Sequence, residues 1–113
     1  MTIREAAAAL GAEILQDDFK DEEISGAYTS DLLSDVMAHA RDGGVLITIQ
    51  AHKNTVAVAT LVNVTAIIIC NTRPVPDDML AAAREEGIAV LLTKENQFTV
   101  SGKLYKMMNK DDL

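Results

Sequence analysis

Three short apolar runs, each followed by polar or turn-forming residues, restrict the fold of this chain most strongly. They cover residues 45–49 (Val-Leu-Ile-Thr-Ile), 66–70 (Ala-Ile-Ile-Ile-Cys) and 88–92 (Ile-Ala-Val-Leu-Leu). A strand that is covered on both faces has such a nearly continuous apolar sequence. Helix-like segments separate the runs, which is the order of βαβ units. The sequence therefore predicts a single α/β domain with a mostly parallel sheet and helices on both faces.

The length and the cysteine content bound the class of protein. A chain of 113 residues has room for one domain, predicted to span residues 1–108 with residues 109–113 as a frayed C-terminal tail. No apolar run approaches the ~20 residues of a membrane-spanning helix. The single cysteine, Cys70, excludes an internal disulfide and is expected to be a buried thiol. We therefore expect a cytoplasmic protein that does not bind a membrane.

Cap signals predict where the helices begin. Thr2 and Glu5 have the spacing of a capping box before a helix over residues 3–10. Ser30 is predicted to be the N-cap of a second helix over residues 31–41. We expect Leu32 and Met37 to belong to the apolar stripe of that second helix, and Leu104, Tyr105 and Met108 to dock the last helix on the core.

The segment over residues 54–61 is β-branched, and its length suits either a strand or a helix. Its position between two predicted parallel strands favours a helix, because parallel strands need a crossover connection. Such a helix has no charge and is apolar on nearly every side, so it must be covered all round. The sheet can cover one face only. We therefore expect a homodimer whose interface contains Val56, Val58, Ala59 and Leu61.

The net charge of −7 disfavours a nucleic-acid partner, because phosphate backbones are held by Lys and Arg. Four aromatic rings and no Trp leave few platforms on which bases could stack. The excess acid lies in residues 1–40, which contain nine Asp or Glu and two Lys or Arg. Its densest stretch, residues 17–23, is either a solvated loop or a docking face for a basic protein partner.

Polar residues follow each predicted buried strand, where open parallel sheets bind their ligands. Hydrogen-bond donors and cations in these loops suit a small anion such as a nucleotide or a phosphate, although loops are also polar simply because they meet water. The predicted ligand-binding residues are Gln50, His52, Asn54, Thr72, Arg73, Thr93 and Lys94, together with Tyr28 and Ser30 near the turn at Gly26.

No residue pattern specifies a catalytic site, a metal site or a cofactor site. His52 has no Ser or Cys at a spacing typical of a nucleophile, and His39 lies four residues after Asp35 as a surface pair. One alternative remains open: a small enzyme or enzyme subunit that uses His52 with Arg73 or Lys94 on an anionic substrate.

The chain resembles small, stand-alone DRTGG-domain proteins. The resemblance is carried by residues 25–28 (Ser-Gly-Ala-Tyr), 30–37, 48–54 and 85–90, and it spans roughly residues 1–105. Residues 23–27 (Glu-Ile-Ser-Gly-Ala) stand where the Asp-Arg-Thr-Gly-Gly of the family name would be. The resemblance implies an α/β fold similar to the N-terminal domain of HPr kinase and to the domain beside CBS domains in regulated pyrophosphatases, where it helps to form a dimer.

These observations favour a non-catalytic regulatory or interaction module that works as a homodimer and senses a small anionic ligand. The resemblance also implies a protein partner in a redox or hydrogenase-type complex, because stand-alone members often look like companions of redox or hydrogenase operons. A further alternative is therefore an adaptor whose acidic residues 17–23 dock on such a complex.

Overall fold

The structure, a computed structural model, describes residues 1–109, so the predicted tail beyond Asn109 lies outside the described residues. Five helices and five strands follow one another in this part of the chain. They are α1 (Ile3–Leu10), β1 (Glu13–Gln16), β2 (Ala27–Thr29), α2 (Leu33–His39), β3 (Val45–Thr48), α3 (Lys53–Leu61), β4 (Ala66–Ile69), α4 (Asp77–Glu86), β5 (Ala89–Leu92) and α5 (Gln97–Met108).

The strands form one five-stranded sheet in the order β1-β5-β4-β3-β2. Strands β2 to β5 are parallel, with Val45 opposite Ala66 and Ala66 opposite Ala89, and β1 joins β5 in antiparallel orientation. The predicted α/β fold with a mostly parallel sheet is thereby confirmed. Strand β2 lies at the edge of the sheet, which leaves one of its sides without a neighbouring strand.

Helices cover both faces of the sheet, as predicted. Alternate side chains of the central strands point to opposite faces, so each strand contributes to two cores. Helices α1 and α5 pack on the face that contains Ile47, Ile68 and Leu91. Helices α2, α3 and α4 pack on the opposite face, which contains Leu46, Ile67, Ile69 and Val90. None of the helices over residues 1–109 is long and apolar enough to span a bilayer.

The capping box of α1 is confirmed, since Glu5 N donates to Thr2 Oγ1 and Thr2 N donates to Glu5 Oε1. The predicted start of α2 is wrong. This helix begins at Leu33, and Ser30 accepts from Leu32 N instead of capping the helix. The apolar stripe shifts accordingly: Leu32 is 65% exposed and Met37 is also exposed.

The segment of ambiguous sequence forms helix α3, as favoured. The structure corrects the premise that a second subunit must cover this helix, because α3 packs between α2 and α4 on the sheet. Val56, Val58 and Ala59 are consequently buried within one chain, while Leu61 is 70% exposed. Leu61 is thus the predicted interface residue that a second chain can reach.

Helix α5 is continuous and begins at an Asn96 N-cap, whose side chain accepts from Thr99 N. Leu104 docks it on the sheet as expected. Tyr105 does not, because its ring is 57% exposed.

A strained turn follows β4. Asn71 and Thr72 have φ values of 61° and 50°, and Arg73 N donates to Cys70 O across the turn. Positive φ at both central residues is typical of a type I′ turn, which favours Asn and Gly and disfavours a β-branched residue. The backbone amides of Asn71 and Thr72 donate to Glu95 O and Thr93 O, so the loop after β5 holds the turn in this conformation.

We expect Thr72→Gly to raise the free energy of unfolding by about 0.5–1 kcal/mol, because relief of the left-handed strain exceeds the added entropy of an unfolded glycine. Asn71→Gly is the matched control and should gain less, since Asn tolerates this conformation. Urea unfolding of both variants measures the difference. A loss of stability in Thr72→Gly would show that the threonine is not strained.

Candidate functional site

The loops that follow β3, β4 and β5 meet at one edge of the sheet, but most of the predicted ligand-binding side chains there do not line a common cleft. Gln50, His52, Asn54, Arg73 and Lys94 are exposed, and Thr93 is buried. His52 Nδ1 accepts from Asn54 N at 3.0 Å and so caps helix α3. This nitrogen is therefore committed to the helix and not available as a base.

Thr72, Thr93 and Lys94 line a shared cleft of about 430 Å³. Glu13 and Glu95 line the same cleft, so its described lining has one cation and two carboxylates, of which Glu95 is paired with Lys103 at 2.8 Å. That charge balance disfavours an anionic ligand.

Asp31 links three elements at this edge through a single oxygen. Its Oδ1 accepts from Thr48 Oγ1 at 2.9 Å, from Ile49 N at 3.0 Å and from Gln97 Nε2 at 2.9 Å. The half-buried carboxylate thereby ties the segment after β2 to the end of β3 and the start of α5. The sequence pattern predicts Asp31 in the first turn of a helix and gives no sign that its carboxylate links three elements.

Cys70 lies at the end of β4 and is fully buried, as expected. Burial above all, and then the nearby carboxylates of Asp31 and Glu95, raise the pKa of the thiol to about 11. The thiol is therefore protonated at neutral pH and is a poor nucleophile. Within residues 1–109, no group of three or more His, Cys, Asp or Glu side chains is arranged to hold a metal ion.

Tyr28 is held against α2 by a short hydrogen-bond network. Its hydroxyl donates to Asp35 Oδ2 at 2.8 Å, and His39 Nδ1 lies 3.0 Å from Asp35 Oδ1. The tyrosine and histidine rings stack with centroids 6.2 Å apart. The hydrogen bond from Tyr28, with further bonds from Ser30 and His39, lowers the pKa of Asp35, and the same Tyr28–Asp35 bond raises the pKa of Tyr28. This network joins β2 to α2 on one face of the sheet.

The opposite side of β2 borders a cleft of about 410 Å³, which we call the β2–α5 cleft. One wall is formed by Ser25, Gly26, Ala27 and Thr29, and the other by Ser101, Tyr105 and Met108 of α5. Thr29 Oγ1 and Ser101 Oγ, 2.6 Å apart, join the two walls. Arg41 lines the cleft from the segment after α2.

Gly26 lines this cleft, and the side chain of Arg41 lies over it. A Cβ atom on Gly26 would be 3.0 Å from Arg41 Cδ, closer than nearly all real contacts of that kind. The absence of a side chain at Gly26 thus allows the close approach of Arg41. No sequence pattern identified Arg41, Ser101 or Tyr105 as residues of this cleft. Successive side chains of a strand point to opposite faces, so Ala27 and Thr29 must face away from Tyr28. This alternation is the part of the cleft that the sequence could have indicated.

A second concave surface, the α3–α4 groove, has a volume of about 530 Å³. Its lining is largely apolar and includes Val56, Ala57, Leu61 and Ala82. Helices α3 and α4 both cross between parallel strands, so they run in the same direction. Lys53, at the start of α3, therefore lies at one end of the groove, and Glu85 and Glu86, at the end of α4, lie at the other.

The acidic stretch is largely fastened to the rest of the chain. Glu23 pairs with the amino terminus at 2.7 Å, and Asp21 accepts from Arg4 N at 2.9 Å. Asp18 lies 3.7 Å from the guanidinium of Arg84.

Comparison with protein families gives a match to the DRTGG domain over residues 5–107. The chain belongs to the DRTGG domain family. The resemblance to DRTGG-domain proteins is thereby confirmed. No curated protein matches the chain with significant similarity.

The fold of this DRTGG domain is similar to that in the crystal structure of the CBS and DRTGG domains of the regulatory region of Clostridium perfringens pyrophosphatase, complexed with its activator, diadenosine tetraphosphate. The TM-score is 0.72 at 15% sequence identity. The match covers 91% of this chain and 45% of the other, so the domain spans less than half of that regulatory region.

We expect Asp31→Ala to lower the free energy of unfolding by about 2–4 kcal/mol, because it removes three hydrogen bonds and leaves the buried Thr48 hydroxyl without its acceptor. Asp31→Asn retains an acceptor oxygen at the same place and should lose less. Urea unfolding tests both variants. A cost for Asp31→Ala no larger than that of the exposed Asp77→Ala would contradict the role of Asp31 as a link.

The Asp35 network predicts a pH-dependent stability. The pKa of Asp35 is lower in the folded chain than its usual value of 3.8, so its contribution is present above that value and is lost as the pH falls through the folded pKa. Wild type should therefore be more stable than Asp35→Asn at neutral pH, and the difference should shrink below about pH 4. Urea unfolding at several pH values measures it. A difference that stays constant down to acidic pH would refute the assignment.

Proposed function

We propose that this DRTGG domain is a non-catalytic regulatory module that works as a homodimer and responds to a small, nucleotide- or phosphate-like anion. The α3–α4 groove carries the proposal. It combines an apolar lining, an exposed Leu61 and ends of opposite charge on one surface. Exposed apolar grooves of this kind are typical of interaction sites.

The groove is complementary to itself. A two-fold axis across it would set the α3 helices of two copies antiparallel, as an isologous interface requires. Lys53 of one protomer would then meet Glu85 and Glu86 of the partner, and this pairing would occur twice. Leu61 of each protomer would be covered by the groove of the other. Of the four residues expected in the interface, Val56 and Leu61 line this groove, whereas Val58 and Ala59 are buried within the chain and do not line it.

The regulatory part of the proposal draws on the similar fold. In the pyrophosphatase, the region that contains the DRTGG domain is regulatory and is complexed with an anionic activator. The one cysteine of the chain is buried and protonated at neutral pH, which suits the proposed cytoplasmic location.

The enzyme hypothesis has less support. It needs His52 to act with Arg73 or Lys94, but His52 Nδ1 caps α3, and His52 and Arg73 do not line the cleft that contains Lys94. The adaptor hypothesis, in which residues 17–23 dock on a redox or hydrogenase-type complex, is weakened because Asp18, Asp21 and Glu23 already have partners within the chain.

Sedimentation velocity at micromolar concentration tests the homodimer. We expect wild type to sediment as a dimer, and Leu61→Glu to raise the dimer dissociation constant by about tenfold or more, because a buried charge would replace an apolar contact. Leu32→Glu is the matched control, since Leu32 is 65% exposed at the N-cap of α2 and Leu61 is 70% exposed at the end of α3.

Charge reversal examines the paired ends. Lys53→Glu should weaken the dimer, and adding Glu85→Lys and Glu86→Lys in the same chain should restore it. A wild-type monomer, or equal effects of Leu61→Glu and Leu32→Glu, would contradict the proposal.

A further inference from the structure

We infer that the β2–α5 cleft is the binding site of the anion, and that the ligand carries a planar ring joined to a phosphate or carboxylate, as a nucleoside monophosphate does. The inference rests on the proposed function and moves its ligand away from the predicted loops at the carboxyl edge. At about 410 Å³, the cleft is within the usual range of small-molecule sites.

Charge is the first observation that points to this cleft. Within the described part of the chain, Arg41 is the only charged residue that lines it, in a chain whose net charge is −7. Among residues 1–109, no carboxylate forms an ion pair with Arg41. A guanidinium can bind a phosphate or a carboxylate through two parallel hydrogen bonds. By contrast, Glu13 and Glu95 oppose Lys94 in the cleft at the carboxyl edge.

The backbone around Arg41 is shaped to hold this side chain in place. A Cβ atom on Gly26 would press on Arg41 Cδ, and a Cβ atom on Gly44 would lie 2.9 Å from Arg41 O. The contact at Gly44 is with backbone and requires glycine, whereas a side chain at Gly26 would displace the Arg41 side chain by a few tenths of an ångström. Gly26 belongs to the segment that resembles the family signature, so a signature glycine is in direct contact with the arginine of the cleft.

The rest of the cleft suits a ring and a sugar-like polar group. Ile47 and Met108 supply apolar surface, and the exposed face of Tyr105 offers a stacking partner. In the Thr29–Ser101 pair, one hydroxyl donates to the other, so one hydroxyl hydrogen remains to donate to a ligand. The hydroxyl of Ser25 is already used, since it donates to Asp42 O at 2.6 Å.

The test uses the whole chain with AMP, adenosine and inorganic phosphate as probes. Isothermal titration calorimetry gives the affinities, and amide NMR shifts locate the contacts. We expect AMP to shift the amides of Gly26, Ala27 and Ser101. Arg41→Gln should weaken AMP binding by about tenfold or more, and Arg41→Lys by less, because lysine retains the charge without the paired donors.

A second variant separates the ring from the anion. Tyr105→Leu should weaken the binding of AMP and adenosine several-fold and leave the binding of phosphate unchanged. Arg73→Gln, an exposed arginine outside the cleft, is the matched control and should leave AMP binding unchanged. Circular dichroism confirms that each variant is folded.

The outcomes separate this inference from the function on which it rests. AMP binding that shifts Thr93 and Lys94 and is weakened by Arg73→Gln would overturn the site but leave an anion-responsive module. Phosphate binding at Arg41 without any contribution from Tyr105 would overturn the ligand class. If none of the three probes binds, both the site and the anion-sensing part of the proposed function fail, while the homodimer is judged separately by sedimentation.

Discussion

The central strand β4 is inaccessible to water on both faces, and the positions of the helices follow from covering it. Ile67 and Ile69 pack against α2, α3 and α4, and Ile68 packs against α1 and α5. Burial of so much apolar surface is the main force that favours folding. It also uses up the inner faces of all five helices, so only the sheet edges and the grooves between neighbouring helices are left for binding.

At the carboxyl edge of the sheet, where parallel folds usually bind ligands, many polar groups are used in hydrogen bonds within the chain. Asp31 accepts three hydrogen bonds there, His52 caps α3, and the strained turn at Thr72 is held by the loop after β5. Each of these interactions satisfies backbone or buried polar groups that would otherwise be unpaired. The β2–α5 cleft lies apart from these interactions, and its described lining contains the cation Arg41 and no carboxylate.

The two proposed surfaces are independent in the fold. The α3–α4 groove lies on one face of the sheet, and the β2–α5 cleft lies beside the opposite face. A dimer formed through the groove would therefore leave the cleft open to a ligand. A regulatory module needs this separation, because assembly and sensing must be able to occur at the same time.

The sequence by itself determined the three central strands, their parallel orientation, the capping box at Thr2 and the burial of Cys70, because these depend on local patterns of apolar and cap-forming residues. The tertiary structure alone decided the start of α2, the burial of Val56, Val58 and Ala59, and the approach of Arg41 to Gly26. Those features depend on which elements become neighbours. Asp31 could cap a helix or link β3 to α5, and only the folded chain brings Thr48 and Gln97 within hydrogen-bond reach of it. Local sequence preferences allow several hydrogen-bond partners for a polar group such as Asp31, and long-range packing determines which partner is within reach.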